Sequence, residues 1–266
     1  MPHEYIDHIN KKTMRGSVAE YARQNTLTKS EEAALNYVSD AADNPILDIG
    51  IGGGRTVAAL RRVSKDYVGI DYVNEMVMEC RKKFPGVRFE QRDARKLTSF
   101  ENNSFHTIMF SMNGISMVDH EGRMEILQEV YRLLSPGGVF LFSTYNQDSA
   151  DYRKLFRFPE FMFSKNLLKS GVRSLRYACN LLIAVYNRSR FRRLETYTDE
   201  YFIVNDKCHN YATMLYYITQ ANQYKQLTSV GFDRDIIAFD SSGNLIKNGT
   251  PDDSIFYIAR KPSSAS

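Results

Sequence analysis

Five short apolar runs, PILDI, YVGI, VRFEQ, HTIMFS and VFLFS, recur between residues 45 and 143, separated by helix-like segments such as NEMVMECRKKF and HEGRMEILQEVYRLL. A crossover of that length is needed only where neighbouring strands run parallel, since antiparallel neighbours can be joined by a tight turn. The alternation therefore predicts an α/β chain on a mostly parallel sheet with helices on both faces. Ahead of it, Thr28, Lys29, Ser30 and Glu31 form a capping-box pattern that starts a helix over AALNYV. After Ser143 the rhythm breaks for some fifty residues. It resumes with the strand-like ETYTDEYFIV and HNYATMLYYI, a helix TQANQYKQLTSVG capped by Thr219, and two closing strands, DIIAFD and SIFYIAR, around the turn SSGN.

In such sheets ligands bind outside the carboxyl ends of the strands. Those ends carry Asp48, Gly50 and Gly52 to Gly54 after the first strand, Asp71 after the second, Asp93 and Ala94 after the third, and Ser111 and Asn113 after the fourth. The dinucleotide fingerprint of hydride-transfer enzymes is absent, because its third glycine, counted from Gly50, falls on Arg55. What stands there instead is D-x-G-x-G-x-G, followed 23 residues after Asp48 by Asp71. Carboxylates ending three successive strands suit a ligand that offers a ribose diol, an ammonium and an exocyclic amine as donors.

Taken in order, LDIGIGGG, GIDYVNEM, FEQRDARKL, NSFHTIMFS and EILQEVYRLLSPGGVFLFS resemble the successive motifs of the class I S-adenosylmethionine-dependent methyltransferases of the small-molecule type, over residues 44–146. The resemblance implies a doubly wound, mostly parallel sheet of seven strands and S-adenosylmethionine as cofactor. It further implies that Asp48, Gly50 and Gly52 line the methionine end, that Asp71 takes both ribose hydroxyls, that Tyr72 and Met76 flank the adenine, and that Asp93 and Ala94 meet its edge. Ser111 would lie beside the sulfonium. His106 stands where members often carry Asp. Arg55 is expected as a charge on the surface at a helix start.

Tyr21, in SVAEYARQ, resembles the tyrosine of a lid that many small-molecule methyltransferases fold over the cofactor, so residues 1–43 are read as a helical lid. Residues 44–146 form the cofactor-binding core, 147–195 an inserted cap, and 196–266 complete the sheet. Tyr21, Asn113 and Asn146 are candidate acceptor contacts. His120 and His209 are the candidate bases, a role worth roughly 10²- to 10⁴-fold in rate when the acceptor is a hydroxyl or protonated amine. No N-P-P-Y/F tetrapeptide follows the fourth strand, which disfavours methylation of nucleobase amines.

Charge is distributed unevenly. Residues 151–193 hold eleven Lys and Arg against Asp151 and Glu160, a net of +9, so the rest of a chain of total charge +4 carries −5. Aromatics including Phe156, Phe158, Phe161 and Phe163 are interleaved with these cations. Three readings compete: a cap with solvated arginines; recognition of an anionic acceptor, either a metabolite or a glycolipid at a membrane surface; and RNA, the weakest because no RNA-binding module accompanies the charge. The leading expectation is methyl transfer to O or N of a small, anionic metabolite, with RNA- or protein-modifying and lipid-modifying enzymes as alternatives. Cys80, Cys179 and Cys208 are an odd set at wide spacing, read as reduced thiols with no metal site. The N-terminal MPHEYIDHINKK is polar and no apolar run approaches the ~20 residues that span a bilayer, giving an expectation of a cytoplasmic protein with at most peripheral membrane contact. Oligomeric state is left open.

Overall fold

A computed structural model describes residues 2–38, 43–150, 156–158 and 167–263. Helices α1 (Pro2–Gly16), α2 (Val18–Tyr21) and α3 (Lys29–Tyr37) precede strand β1 (Ile46–Ile49). There follow α4 (Val57–Val63), β2 (Tyr67–Asp71), α5 (Asn74–Lys83), β3 (Arg88–Gln91), β4 (Phe105–Phe110), α6 (His120–Leu133) and β5 (Leu134–Asn146). Beyond β5 come α7 (Leu167–Phe191), β6 (Thr196–Tyr197), β7 (Tyr201–Val204), β8 (Leu215–Ile218), α8 (Gln220–Val230), β9 (Ile237–Phe239) and β10 (Ser254–Arg260). Thr28 caps α3 in the expected capping box, and Thr219 caps α8 through Asn222 N–H.

Strands β3, β2, β1, β4 and β5 are parallel neighbours in that order; β10 runs antiparallel beside β5, and β9 antiparallel beside β10. These seven strands are the expected doubly wound sheet. Every residue of β1 and β2 is buried, because helices cover both faces and leave no side free for polar alternation. Side-chain alternation divides the core in two. Leu47 and Ile49 join α6 and α8 residues such as Ile126, Leu127, Val130 and Leu227, whereas Ile46 joins Leu35, Leu60 and Val77 from α3, α4 and α5 on the opposite face.

The chain reverses its winding at β1, with β2 and β3 to one side and β4 and β5 to the other, so the carboxyl ends of β1 and β4 border a crevice.

The inserted segment is longer than expected. Strands β6, β7 and β8 form an antiparallel extension that joins the main sheet only where β8 pairs in parallel with Tyr145 and Asn146 at the tip of β5. Since β10 occupies the other edge of Tyr145, β8 takes the edge that β4 leaves vacant beyond Phe110. The insertion thus runs to Ile218 rather than residue 195, and α8, β9 and β10 complete the sheet. ETYTDEYFIV is two strands rather than one, because Thr198 turns the chain with its Oγ accepting from Glu200 N–H and Tyr201 N–H. Nor does HNYA continue β8: Cys208–Tyr211 is a 3-10 turn. The three cysteines are unpaired, and no described helix is long and apolar enough to cross a membrane. Arg153, Lys154, Phe161, Phe163 and Lys165 lie outside the described residues, and the side chain of Lys169 is likewise not described.

Candidate active site

A cleft of about 1280 Å³, including space open to solvent, lies over the carboxyl ends of β1, β2, β3 and β4. Of the residues singled out in the sequence, Tyr21, Gly50, Gly52, Asp71, Tyr72, Met76, Asp93, Ala94, Ser111 and His209 line it; Asp48, Asn113, His120 and Asn146 do not.

The glycine run is bare for two separate reasons. Gly50 has φ +66°, and a Cβ there would stand 2.7 Å from the Phe110 ring, so a side chain would collide with the end of β4. At Gly53 a Cβ would stand 2.3 Å from the carbonyl oxygen of Tyr21 and 2.5 Å from the backbone nitrogen of Ala22. Gly53 is therefore the surface on which the N-terminal lid lands. Met14, Val18 and Tyr21 of that lid pack with Tyr72, Val73 and Met76, closing the cleft from above.

Asp71 ends β2 almost fully buried, with Oδ2 accepting from Gly52 N–H (3.0 Å) and Oδ1 from Val73 N–H (2.8 Å). Burial pushes its carboxyl up to about 6, against the pull of those backbone donors. Each oxygen keeps a lone pair for the cleft, which is what a vicinal diol requires. Tyr72 presents a buried hydroxyl with no partner in the protein, and Met76 is buried beside it. A cradle that admits no side chain, an acceptor pair at Asp71 and an unsatisfied donor at Tyr72 fit S-adenosylmethionine.

Asp93 is held by Arg95, whose guanidinium reaches it at 2.6 Å and also pairs with Asp7 of α1. Burial raises the Asp93 carboxyl, but the hydrogen bonds and charge of Arg95 outweigh it and hold the group below its ordinary value; at Asp7 burial outweighs the pull of Arg95, and the group stays above its own. The triad straps the lid to the end of β3.

Asp48 does not line the cleft. Its buried Oδ2 accepts from Thr56 Oγ (2.6 Å) and Tyr67 hydroxyl (2.8 Å), behind the loop and away from the cleft, so it fixes the loop from below; burial raises it too, to about 6. The charged side chain of the cleft wall beside this loop is Arg55, which is no surface residue. Its side chain is 9% exposed and Glu31 only 1%, and they pair through two bonds of 2.5 and 2.6 Å. Arg55 also donates to Ser111 Oγ (3.1 Å) and to Thr26 carbonyl (3.1 Å). Glu31, which closes the capping box of α3 by accepting from Thr28 N–H, thus holds a cation in the cleft wall as well.

The opposite wall comes from the insertion and the tip of β5: Tyr145, Cys208, His209, Thr213 and Leu215, with Met112 and Met117 beneath. Three successive residues, His209 (φ 49°), Asn210 (φ 54°) and Tyr211 (φ 59°), lie in the left-handed region, at a cost on the order of 1–2 kcal/mol each. They are held there from outside. Asn187 Nδ2 of α7 donates to Asn210 carbonyl (2.9 Å), and Asn205 Nδ2 donates to the carbonyls of Tyr211 and Thr213 (2.8 Å each). Below the turn, fully buried Asp206 accepts from Cys208 N–H and from the Tyr217 hydroxyl, at 2.8 Å each, while Tyr217 stacks on Tyr145. Thr213 Oγ is buried without a partner, and burial pushes the Tyr145 phenol well above its ordinary value.

His120 is elsewhere. It stacks on Tyr201 (4.4 Å between ring centroids) and sets Nδ1 2.9 Å from the Tyr216 hydroxyl, which accepts from Gln226 Nε2 and so keeps its own proton for the imidazole. Burial, and then the charge of Arg123, lower its pKa. Asn146 is also structural, since its Nδ2 donates to the carbonyls of Thr250 and Asp252 and clamps the loop before β10. Asn113 donates its N–H to Ser143 Oγ (2.8 Å), leaving the wall to its neighbours Met112 and Gly114. Arg188 is not an open cation either: it pairs with Glu195, donates to Asn205 carbonyl (2.6 Å) and lies over the Phe156 ring. Among the described residues, none from 151–193 lines the cleft.

Missed altogether by sequence reasoning is Arg123 of α6, fully buried in an oxygen shell made by Gln223, Gln226, Ile115 carbonyl and Thr144, with its guanidinium 4.6 Å from the Tyr216 ring centroid. Burial lowers it to about 10.

Residues 46–138 match a methyltransferase-domain family. A demethylmenaquinone methyltransferase of Chlorobaculum parvum is 30% identical over 106 residues, 40% of this chain and 42% of that protein. A ubiquinone biosynthesis O-methyltransferase of Actinobacillus pleuropneumoniae is 24% identical over 199 residues, 68% of this chain and 84% of its own. The chain spans less than half the length of the first curated relatives it matches. Among solved structures, a Burkholderia thailandensis 1,6-didemethyltoxoflavin-N1-methyltransferase with bound 1,6-didemethyltoxoflavin and S-adenosylhomocysteine superposes with a TM-score of 0.58 at 13% identity, covering 98% of this chain and 91% of that one. A methyltransferase of Clostridium acetobutylicum gives 0.59 at 15%, covering 88% and 91%. Residues 46–138 thus carry a methyltransferase domain, and the sheet built on them has the fold of the class I S-adenosylmethionine-dependent methyltransferases.

Proposed function

We propose that this chain transfers a methyl group from S-adenosylmethionine to an oxygen or nitrogen of a small molecule seated beneath the inserted cap. The observation that carries the reading is one continuous cleft: the glycine loop, Asp71 and Asp93 form one wall, and Tyr145, Cys208, His209 and Thr213 form the other. An acceptor seated beside the cofactor would be met by this second wall.

When bound, S-adenosylmethionine supplies an electrophilic methyl on a sulfonium. The residues of this chain then hold and orient. Asp71 accepts the ribose hydroxyls, Tyr72 and Met76 flank the adenine, Asp93 and Ala94 meet its edge, and Arg55 rather than Asp48 meets the methionine carboxylate. Met112, Met117, Tyr145 and Leu215 hold an apolar or aromatic acceptor, a chemistry consistent with relatives named for demethylmenaquinone and ubiquinone biosynthesis. His209 takes the acceptor proton, and Tyr145, kept protonated by burial, donates a hydrogen bond to it. Holding nucleophile and methyl in attack geometry is worth up to ~7–11 kcal/mol, which makes positioning the larger part of the catalysis. An anionic group on the acceptor would be met outside the cleft, because, of the cations that line it, Arg55 is taken up by the cofactor, and Arg92 and Arg95 are paired with Glu90, Asp7 and Asp93.

The test is transfer of tritiated methyl into a cell extract, fractionated into small molecules, lipid, RNA and protein. Label in the small-molecule or lipid fraction is expected. Label confined to RNA or protein would overturn the reading.

A further inference from the structure

The outer face of α7 plays no part in the cleft, yet among the described residues it gathers five of the large exposed apolar side chains. Leu175 (70% exposed), Cys179, Leu182 (72%) and Tyr186 (60%) recur at spacings of four, three and four, which stacks them along one side of the helix; Ile183 and Val185 widen the stripe. Exposed Arg176 and Arg190 flank it, exposed Arg173 precedes it, Arg192 and Arg193 follow at its end, and no Asp or Glu occurs between residues 161 and 194. The opposite face is where the helix is anchored: Ala184 and Phe191 are buried, and Asn187 and Arg188 bond to Asn210 and Asn205.

We propose that this face is an interfacial helix that seats the protein on an anionic phospholipid surface. Charge decides among the occupants. A two-fold contact between copies through this stripe would set arginines against arginines with no acid on the helix to offset them. A nucleic acid would satisfy the arginines but would leave Leu175, Leu182 and Ile183 in water, since phosphates offer nothing to aliphatic side chains. An anionic bilayer satisfies both at once: aliphatic groups enter the acyl boundary, and the long arginine stems lie along it with their guanidinium groups among lipid phosphates. The helix would lie in the surface and not cross it, for it is not apolar enough to span. Because α7 also holds the strained turn that carries His209, docking places the acceptor wall next to the lipid.

The experiment is co-sedimentation of the purified full chain with vesicles of phosphatidylcholine alone or mixed with phosphatidylglycerol in equal parts. Partitioning onto the mixed vesicles should exceed that onto the neutral ones at least tenfold and weaken as salt is raised. Leu175→Glu with Leu182→Glu should lower it at least tenfold while leaving S-adenosylhomocysteine affinity at the parental value; Leu245→Glu, a leucine 63% exposed elsewhere, should change nothing. A polarity-sensitive fluorophore on Cys179, in a Cys208→Ser background, should shift to the blue on vesicle addition. Equal partitioning onto both vesicle types, parental binding by the double variant, or an unshifted fluorophore on bound protein would each overturn the proposal. A dimer in sedimentation velocity that the double variant dissociates would assign the face to a second copy. Retention of polyuridylate that survives the leucine changes but is lost on Arg173→Gln, Arg176→Gln and Arg190→Gln would assign it to a polyanion.

Discussion

Gly53→Ala isolates the docking of the lid from every other role of the glycine loop. Gly53 does not sit in the left-handed region, so alanine imposes no backbone strain of its own. The new methyl would stand 2.3 Å from Tyr21 carbonyl oxygen, 2.4 Å from its carbon and 2.5 Å from Ala22 nitrogen, all of them backbone atoms that cannot rotate away. To restore ordinary contact near 3.4 Å, the lid must retreat by about 1 Å. A misplacement of that size at a reacting centre costs on the order of 10²-fold in rate. The retreat also parts Tyr21 and Met14 from Tyr72 and Met76, and S-adenosylhomocysteine should bind at least tenfold more weakly, about 1.4 kcal/mol. Calorimetric titration of S-adenosylhomocysteine reads the affinity, and limited trypsin digestion at Arg15 and Arg23 reads the lid. Gly16→Ala is the control, since a Cβ there meets nothing within 4 Å. If Gly53→Ala binds within twofold of the parent and resists trypsin equally, the lid does not rest on that residue and the reasoning fails.

Asp71 and Asp48 carry carboxyls raised from 3.8 to about 6, so between pH 6 and 4 the folded protein takes up protons that the unfolded chain does not. Their contribution to stability therefore rises as pH falls through 6, whereas S-adenosylhomocysteine affinity should drop over the same interval as Asp71 loses its charge; Asp71→Asn should bind at least tenfold more weakly at pH 7.5 and show a flat profile by calorimetry. Glu31→Ala strands Arg55 without its partner, a loss of about 3–5 kcal/mol for a buried pair, and should appear as a fall of roughly 6–15 °C in calorimetric Tm; an unchanged Tm would mean the pair is not buried in solution. His209→Ala should lower kcat by roughly 10²- to 10⁴-fold with little change in S-adenosylhomocysteine affinity. His120→Phe, which keeps the stacking on Tyr201, should leave kcat within a few-fold, and the reverse pattern in steady-state assays would restore His120 as the base.

What the sequence makes legible is what local pattern encodes. The alternation of runs, the capping box and the acids that end β2 and β3 involve neighbours along the chain, and each can be read in a short window. The acceptor wall resists such reading for a geometric reason: side chains alternate along a strand and its ends, so an error of one residue selects the wrong face. Asn146 and Asn113 stand out for their polar chemistry, while Tyr145 and Met112, one position earlier in each case, face the cleft. Arg55 and Glu31 pair across 24 residues, and Arg123 finds its oxygens in α8, about 100 residues away; nothing in either local sequence announces the partner. The extent of the insertion escapes a sequence reading because β6, β7 and β8 have the same apolar texture as core strands, and only pairing tells them apart.

Strand β5 carries a kinetic implication. Along most of its length it pairs with β4 and β10, and at its tip with β8, so a single continuous strand joins the sheet that carries the glycine loop to the insertion that carries the opposite wall. A strand hydrogen-bonded on its edges has no joint, and the two walls cannot swing apart like jaws. Exchange of the spent cofactor must then follow the lid, which is tethered by Asp7, Arg95 and Asp93 and, at the surface, by Arg15 and Glu75. Ion pairs of the exposed kind weaken as electrolyte is added. Turnover limited by departure of S-adenosylhomocysteine would thus quicken with ionic strength, and the rate-limiting event in the cycle would be the unfastening of an N-terminal strap rather than the transfer of the methyl group.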